Sequence, residues 1–171
     1  MVDMDVRTAI EQRRSIRKYA DRELSREEVD KLLSAAHLAP SARNRQEWRF
    51  IAVTDKSLIR EIAEASGQGF AADASLIIAG AGPEPSYVMR SGTPASVVDV
   101  TIALTQVSLL AVEMGLGTCW IGGFPQDEIR ELLGVPDEYR VVMLLSVGYP
   151  AEDPAPRPRR PFAEVVSYNR F

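Results

Sequence analysis

The chain has little of what enzymes most often use for chemistry: its 171 residues include one histidine, His37, and one cysteine, Cys119. A lone cysteine excludes an intramolecular disulfide and a thiolate metal cluster. His37 falls within an expected helix, with no carboxylate or nucleophile pattern around it. The patterns GxSxG, HExxH, paired CxxC and GxGxxG are missing, as is the phosphate-binding P-loop. Such a chain is poorly equipped for hydrolysis or transition-metal chemistry, so any reactive atoms should belong to a cofactor. An excess of positive charge is also missing. The formal net charge of −4 argues against general affinity for nucleic acid or anionic lipid. The most apolar long stretch, 97–112, is interrupted by Asp99, Thr101, Thr105, Gln106 and Ser108 and reads as too short and polar for a membrane span. The opening MVDMDVRTAIEQRRS lacks the apolar core of a secretory signal. The expectation is a soluble, cytoplasmic protein with neither a membrane nor a nucleic acid as partner.

What is present is ordinary globular material, 46% hydrophobic and 26% charged. A chain of this length buries about 70% of its unfolded surface and fits a single domain, 1–171. Val6, Ile10 and Arg13 stand at helical spacing in a first segment over about 4–14. Ser25 with Glu28 forms a capping box, and Val29, Leu32, Leu33 and Ala36 recur as one apolar stripe before Pro40 stops the helix. WRFIAVT, 48–54, reads as a strand, and a helix over about 57–66 ends at Gly67. SLIIAGAG, 75–82, reads as a buried strand, followed by a Pro/Ser/Gly-rich loop over 83–93. A helix from Pro94 to Met114 is apolar around much of its circumference. Burial that complete, in so small a domain, points to a partner chain. A short strand near 118–122, a helix over 126–133 and a strand over 140–148 complete the order. This is not a regular βα alternation, and it favours an α+β fold with a mixed, mainly antiparallel sheet flanked by helices.

Four segments could carry chemistry. RRSIRKY brings Arg13, Arg14, Ser15, Arg17 and Lys18 together, and guanidinium and hydroxyl groups suit phosphate oxygens. The plainer alternative is that Arg13 and Arg14 complement the negative end of the first helix. PRPRRP supplies Arg157, Arg159 and Arg160, either as a solvated tail or as a second anion contact anchored by VVSYNRF. PSARNRQEW lies between helix and strand, and its Ser41, Asn44 and Gln46 offer donor and acceptor edges for a polar heterocycle. In GLGTCWIGGF, Gly122 and Gly123 let the backbone approach a flat ligand, or simply make a turn. Cys119 and Trp120 read as core.

These segments, in this order, resemble the nitroreductase family of FMN-dependent oxidoreductases, over about Asp5 to Arg160. RRSIRKY is similar to its opening phosphate signature, APSARNRQEWRF to its second, MGLGTCWIGGF to its third, and the Arg–Pro tail to its last phosphate contact. The resemblance implies that Arg13, Ser15 and Arg17, with Arg14 between them, hold the phosphate and ribityl region of FMN. Arg159 and Arg157 match the tail contact. Pro40, Ser41, Ala42 and Asn44 match a loop reaching the flavin from the other subunit of a homodimer. Gln68 matches an amide near the flavin, and Ile121, Gly122 and Gly123 a segment beside its reactive edge. No catalytic side chain is implied. The electron donor would be NADH or NADPH, and the acceptor a small oxidised molecule such as a nitroaromatic or quinone. Residues 150–171 would form an arm reaching the partner subunit. Two departures stand out. Glu47 occupies a position where proline is common, and the segment that often forms a substrate lid is reduced to 83–93. The same scaffold would also fit reductive dehalogenation, flavin-dependent dehydrogenation or flavin breakdown, and from another class a non-catalytic flavin-binding protein.

Overall fold

The computed structural model describes residues 4–171. In chain order the elements are α1 (Val6–Gln12), α2 (Arg26–His37), β1 (Arg49–Val53), α3 (Lys56–Ala65), β2 (Leu76–Pro83), α4 (Ala95–Glu113), β3 (Gly117–Ile121), α5 (Gln126–Leu133), β4 (Tyr139–Gly148) and α6 (Phe162–Val165). Short 3-10 turns at Ala42–Asn44 and Gly69–Asp73, which the sequence did not announce, follow α2 and α3. The four strands form one sheet in the order β1-β2-β4-β3, with every neighbouring pair antiparallel.

Local chemistry sets the helix ends. The Ser25–Glu28 capping box is formed reciprocally, satisfying two orphan donors at the start of α2. Asp55 caps α3 by accepting from Ser57 and Leu58 N–H. At the far end of α3, Gly67 takes a left-handed φ of +63° and Gln68 N–H returns to the Ala63 carbonyl at 2.9 Å.

The sheet is covered on both faces. Along β2, Leu76 and Ile78 face α2 and α4, while Ile77 and Ala79 face α3 and α5, the period of two expected of a strand buried on both sides. Each large aliphatic residue fully buried in this way contributes on the order of 1.5–3 kcal/mol. Helix α4 lies so close to β2 that a Cβ on Gly80 would stand 2.4 Å from Val100.

Helix α4 corrects one sequence reading. At 19 residues, with a mean hydropathy of 1.8 over its most apolar 18, it is long and apolar enough to cross a membrane by length and composition. Its packing decides otherwise. Val100, Ala103, Leu104 and Val107 are fully buried in the core with α2 and the sheet, while Ile102 on the opposite side is 36% exposed and Val97, in the first turn, is 45% exposed. Helix α1 departs from expectation more sharply. It is shorter than 4–14, Ala9 alone is buried, and Val6 and Ile10 are 71% and 58% exposed. The apolar spacing is real, but that side faces outward, and nothing among the described residues covers it.

Candidate functional site

The N-terminal arginine segment is laid onto the sheet as an extra strand. Ser15 bridges Thr118 in parallel, and Ile16 N–H donates to the Thr118 carbonyl at 2.9 Å. Ile16 is buried against Gly117, where an added Cβ would stand 2.5 Å from the isoleucine, so glycine permits the close approach. Tyr19 locks the next turn of chain. Its hydroxyl donates to the Ile16 carbonyl at 2.9 Å or shares a proton with Ser146 Oγ at 2.8 Å, and burial pushes the phenol's pKa far up, so it stays neutral. With Ile16 turned inward, Ser15 and Arg17 share the opposite face by strand alternation.

That face opens on a groove of about 690 Å3, lined by Arg13, Ser15, Arg17, Glu152, Arg157 and Arg159 among others. Arginines almost 150 residues apart in sequence thus meet around one hollow. Among the described residues, none of Arg13, Arg14, Arg17, Arg157 or Arg159 has a carboxylate oxygen within 4.0 Å, a state shared with scattered surface arginines such as Arg60 and Arg90; what sets these five apart is that they meet around one hollow. Five arginines against the two carboxylates Glu11 and Glu152 leave the groove with a positive excess, which suits an anion supplied from outside. Arg14 differs from the rest: its Nη1 donates to the Glu11 and Arg13 carbonyls at 2.6 and 2.9 Å, so it does complement the end of α1. Cys119 stands behind the arginine strand. The thiol is buried, and burial pushes its pKa up against the opposing influence of Arg17, Ser15 and Arg13.

Two further features adjoin the strand. Phe70 lies under the Arg17 guanidinium at 5.7 Å, and Gln68, two residues earlier, is half-buried with a side-chain amide that makes no hydrogen bond among the described residues. At the far end of β3, buried Ile121 leads into exposed Gly122 and Gly123. Past Ile121 the β3 side of β4 has no strand among the described residues, and the Gln126 amide there takes both the Val141 carbonyl and N–H, at 2.9 and 3.0 Å. This clamp fixes where α5 begins, and so where the glycine pair sits. A Cβ on Gly123 would meet nothing within 4 Å, and one on Gly122 would make ordinary contact with Met143. Neither glycine has positive φ. Nothing among the described residues therefore demands glycine at 123, and the space beside it is open.

A sequence model of the nitroreductase family matches residues 10–76 and 67–149. A relative from Archaeoglobus fulgidus, provisionally named an NADH dehydrogenase/NAD(P)H nitroreductase, is 39% identical over 150 residues, covering 82% of this chain and 83% of its own. The chain belongs to the nitroreductase family. Among solved structures, an FMN-dependent nitroreductase from Clostridium difficile is 33% identical with a TM-score of 0.83, over 95% of this chain and 98% of its own. An NADPH:FMN oxidoreductase from Vibrio harveyi, complexed with NAD+, is 27% identical with a TM-score of 0.88, over 97% and 77% of the two chains.

Within one chain of this nitroreductase-family member, the expected site residues fall into two groups. Arg13, Arg14, Ser15, Arg17, Arg157 and Arg159 line the groove, and Gln68, Ile121, Gly122 and Gly123 border the same strands. Pro40, Ser41, Ala42 and Asn44 stand apart. Ala42 N–H donates to Asp99 at 3.0 Å near the start of α4, whereas Val112 in its last turn and Gly115 just past its end border a hollow beside the groove. From Asp99 to Val112 the helix rises about 20 Å. The loop is held in an uncommon conformation: Arg43, Asn44 and Gln46 all have φ near +55° without being glycine. Ser41 Oγ accepts from Gln46 N–H at 3.0 Å, and the Arg45 guanidinium holds the Glu47 carboxyl below its ordinary range. Glu47, where proline was expected, is thus tied to its own loop. Sequence reasoning missed Asp99 and Glu152, whose roles arise only when distant segments meet.

Proposed function

We propose that this chain is a soluble, cytoplasmic, FMN-dependent oxidoreductase that takes electrons from NADH or NADPH and reduces small acceptors such as nitroaromatics and quinones. One observation carries the reading: arginines from both ends of the chain, free of carboxylate partners, converge on a groove whose strands lead to an open glycine pair. The residues fit the cofactor. Arg13, Ser15, Arg17, Arg157 and Arg159 hold its phosphate through charge-assisted hydrogen bonds, with Arg14 keeping the end of α1 in place. The Gln68 amide, with no protein partner, is available to a polar ring edge. Flavin supplies reversible two-electron chemistry when bound, which explains why the chain needs no nucleophile or catalytic histidine. Ile121 closes the core behind the site, and the backbone N–H groups of Gly122 and Gly123 stabilise negative charge on a ring edge beside them.

The functional unit in this reading is a homodimer. Pro40, Ser41, Ala42 and Asn44 are too far along α4 to serve their own chain's groove, so they serve a partner's. The uncovered apolar residues support this: Val6 and Ile10 on α1, Val97 and Ile102 on α4, and Phe162, Val165 and Tyr168 on an arm that is exposed over most of its length. Steady-state oxidation of NADH and of NADPH, with FMN present and a simple quinone or nitroaromatic as acceptor, tests the activity. Consumption of either nicotinamide that depends on both acceptor and FMN is the expected result. Flavin bound with no nicotinamide oxidation under any acceptor would refute it.

A further inference from the structure

A carboxylate in the wall of an anion groove calls for a reason, and Glu152 is there among five arginines. Among the described residues it makes no ion pair with any of them. Its Oε1 instead accepts the backbone N–H of Arg17 at 2.6 Å. That bond continues a series. Ala20 N–H donates to the Tyr149 carbonyl at 2.8 Å, and Ala151 N–H donates to the Lys18 carbonyl at 2.9 Å. Tyr19 and Pro150 form the antiparallel bridge between these rungs. The next backbone rung would fall between Asp153 and Ile16, but the Ile16 N–H is given to the Thr118 carbonyl and the Ile16 carbonyl accepts from the Tyr19 hydroxyl. The Glu152 side chain supplies the last rung where the tail leaves the sheet. It borders both the arginine groove and the adjoining hollow of about 550 Å3.

We infer that Glu152 is a positioning residue for the cofactor site: by holding Arg17 N–H it sets the course of residues 153–159 and keeps Arg157 and Arg159 facing Arg13 and Arg17. The effect works through its acceptor oxygen, and its negative charge by itself opposes a phosphate. Two substitutions separate these contributions. Glu152→Ala removes the acceptor and the charge together, whereas Glu152→Gln removes only the charge.

The inference rests on the FMN reading, and the experiment keeps the two apart. FMN affinity is measured for wild type, Glu152→Ala and Glu152→Gln, alongside the rate of tryptic cleavage in flavin-free protein after Arg159, the one arginine of the PRPRRP segment not followed by proline. Loss of one hydrogen bond from a charged acceptor predicts about tenfold weaker FMN binding in Glu152→Ala. Its tail should also be cleaved faster, while Glu152→Gln binds FMN at least as tightly as wild type and resists trypsin equally. Both variants binding more tightly would make Glu152 a charge alone and overturn the inference. So would both weakening together, or no change in either binding or cleavage. Wild type that takes up no FMN would sink the FMN reading, and the trypsin comparison would still decide the role of Glu152.

Discussion

Replacing Arg13 with alanine is expected to weaken FMN retention about 10- to 100-fold, the effect of losing a charge-assisted hydrogen bond of about 1.5–3 kcal/mol. Arg13 is the C-cap of α1, its own N–H bonded to the Ala9 carbonyl, so the backbone holds it at the lip of the groove. Its side chain has no carboxylate within 4.0 Å among the described residues, so truncation breaks no ion pair inside the protein. Melting temperature should therefore change little while flavin affinity falls. Arg13→Lys should recover only part of the loss, because an ammonium group cannot reproduce the paired geometry of a guanidinium on phosphate. Equilibrium dialysis or fluorescence titration with FMN, beside a thermal melt, reads both quantities. Unchanged affinity in Arg13→Ala would remove Arg13 from the phosphate site, and affinity lost in proportion to stability would make its role structural.

A second large effect is expected from Ile102→Glu. Ile102 lies on the side of α4 away from the core, 36% exposed, so a carboxylate there faces solvent in the single chain. In a dimer closed over that side, the same carboxylate is buried without a partner, at a cost of several kcal/mol. The variant should sediment as a folded monomer with an unchanged far-ultraviolet spectrum, and bound FMN should fall to the level of one half-site. The coupling follows from the split between the groove and the Pro40–Asn44 loop, about 20 Å apart along α4. A variant that stays dimeric with full flavin would place the interface elsewhere. A monomer that retains FMN would show that one chain suffices.

Much of this architecture is legible in residue patterns. The Ser25–Glu28 box marks the start of α2, the bounds of α5 match its expected 126–133, and β2 announces its two-sided burial through an unbroken apolar run. These features depend on neighbours in sequence. The rest depends on neighbours in space. No local signal shows that α1 turns Val6 and Ile10 outward, because periodicity gives a helix's apolar side but not what covers it. The left-handed residues Arg43, Asn44 and Gln46 carry no glycine to mark them, and are held by Ser41 and by Asp99 from 57 residues away. Glu152 reads as one more surface acid until it meets Arg17 across 135 residues. The arginine clusters are visible in sequence, but their convergence on one groove is a product of the fold.

The central claim is that this chain holds FMN and that reduced nicotinamide reduces it. The most direct test is the visible spectrum of the FMN-loaded, desalted protein under anaerobic conditions, recorded before and after NADH and then NADPH. The account predicts a protein-bound absorbance near ~450 nm that bleaches with at least one nicotinamide and returns when a quinone is added. Failure to retain any flavin from excess FMN would contradict it, leaving the arginine groove to some other anion.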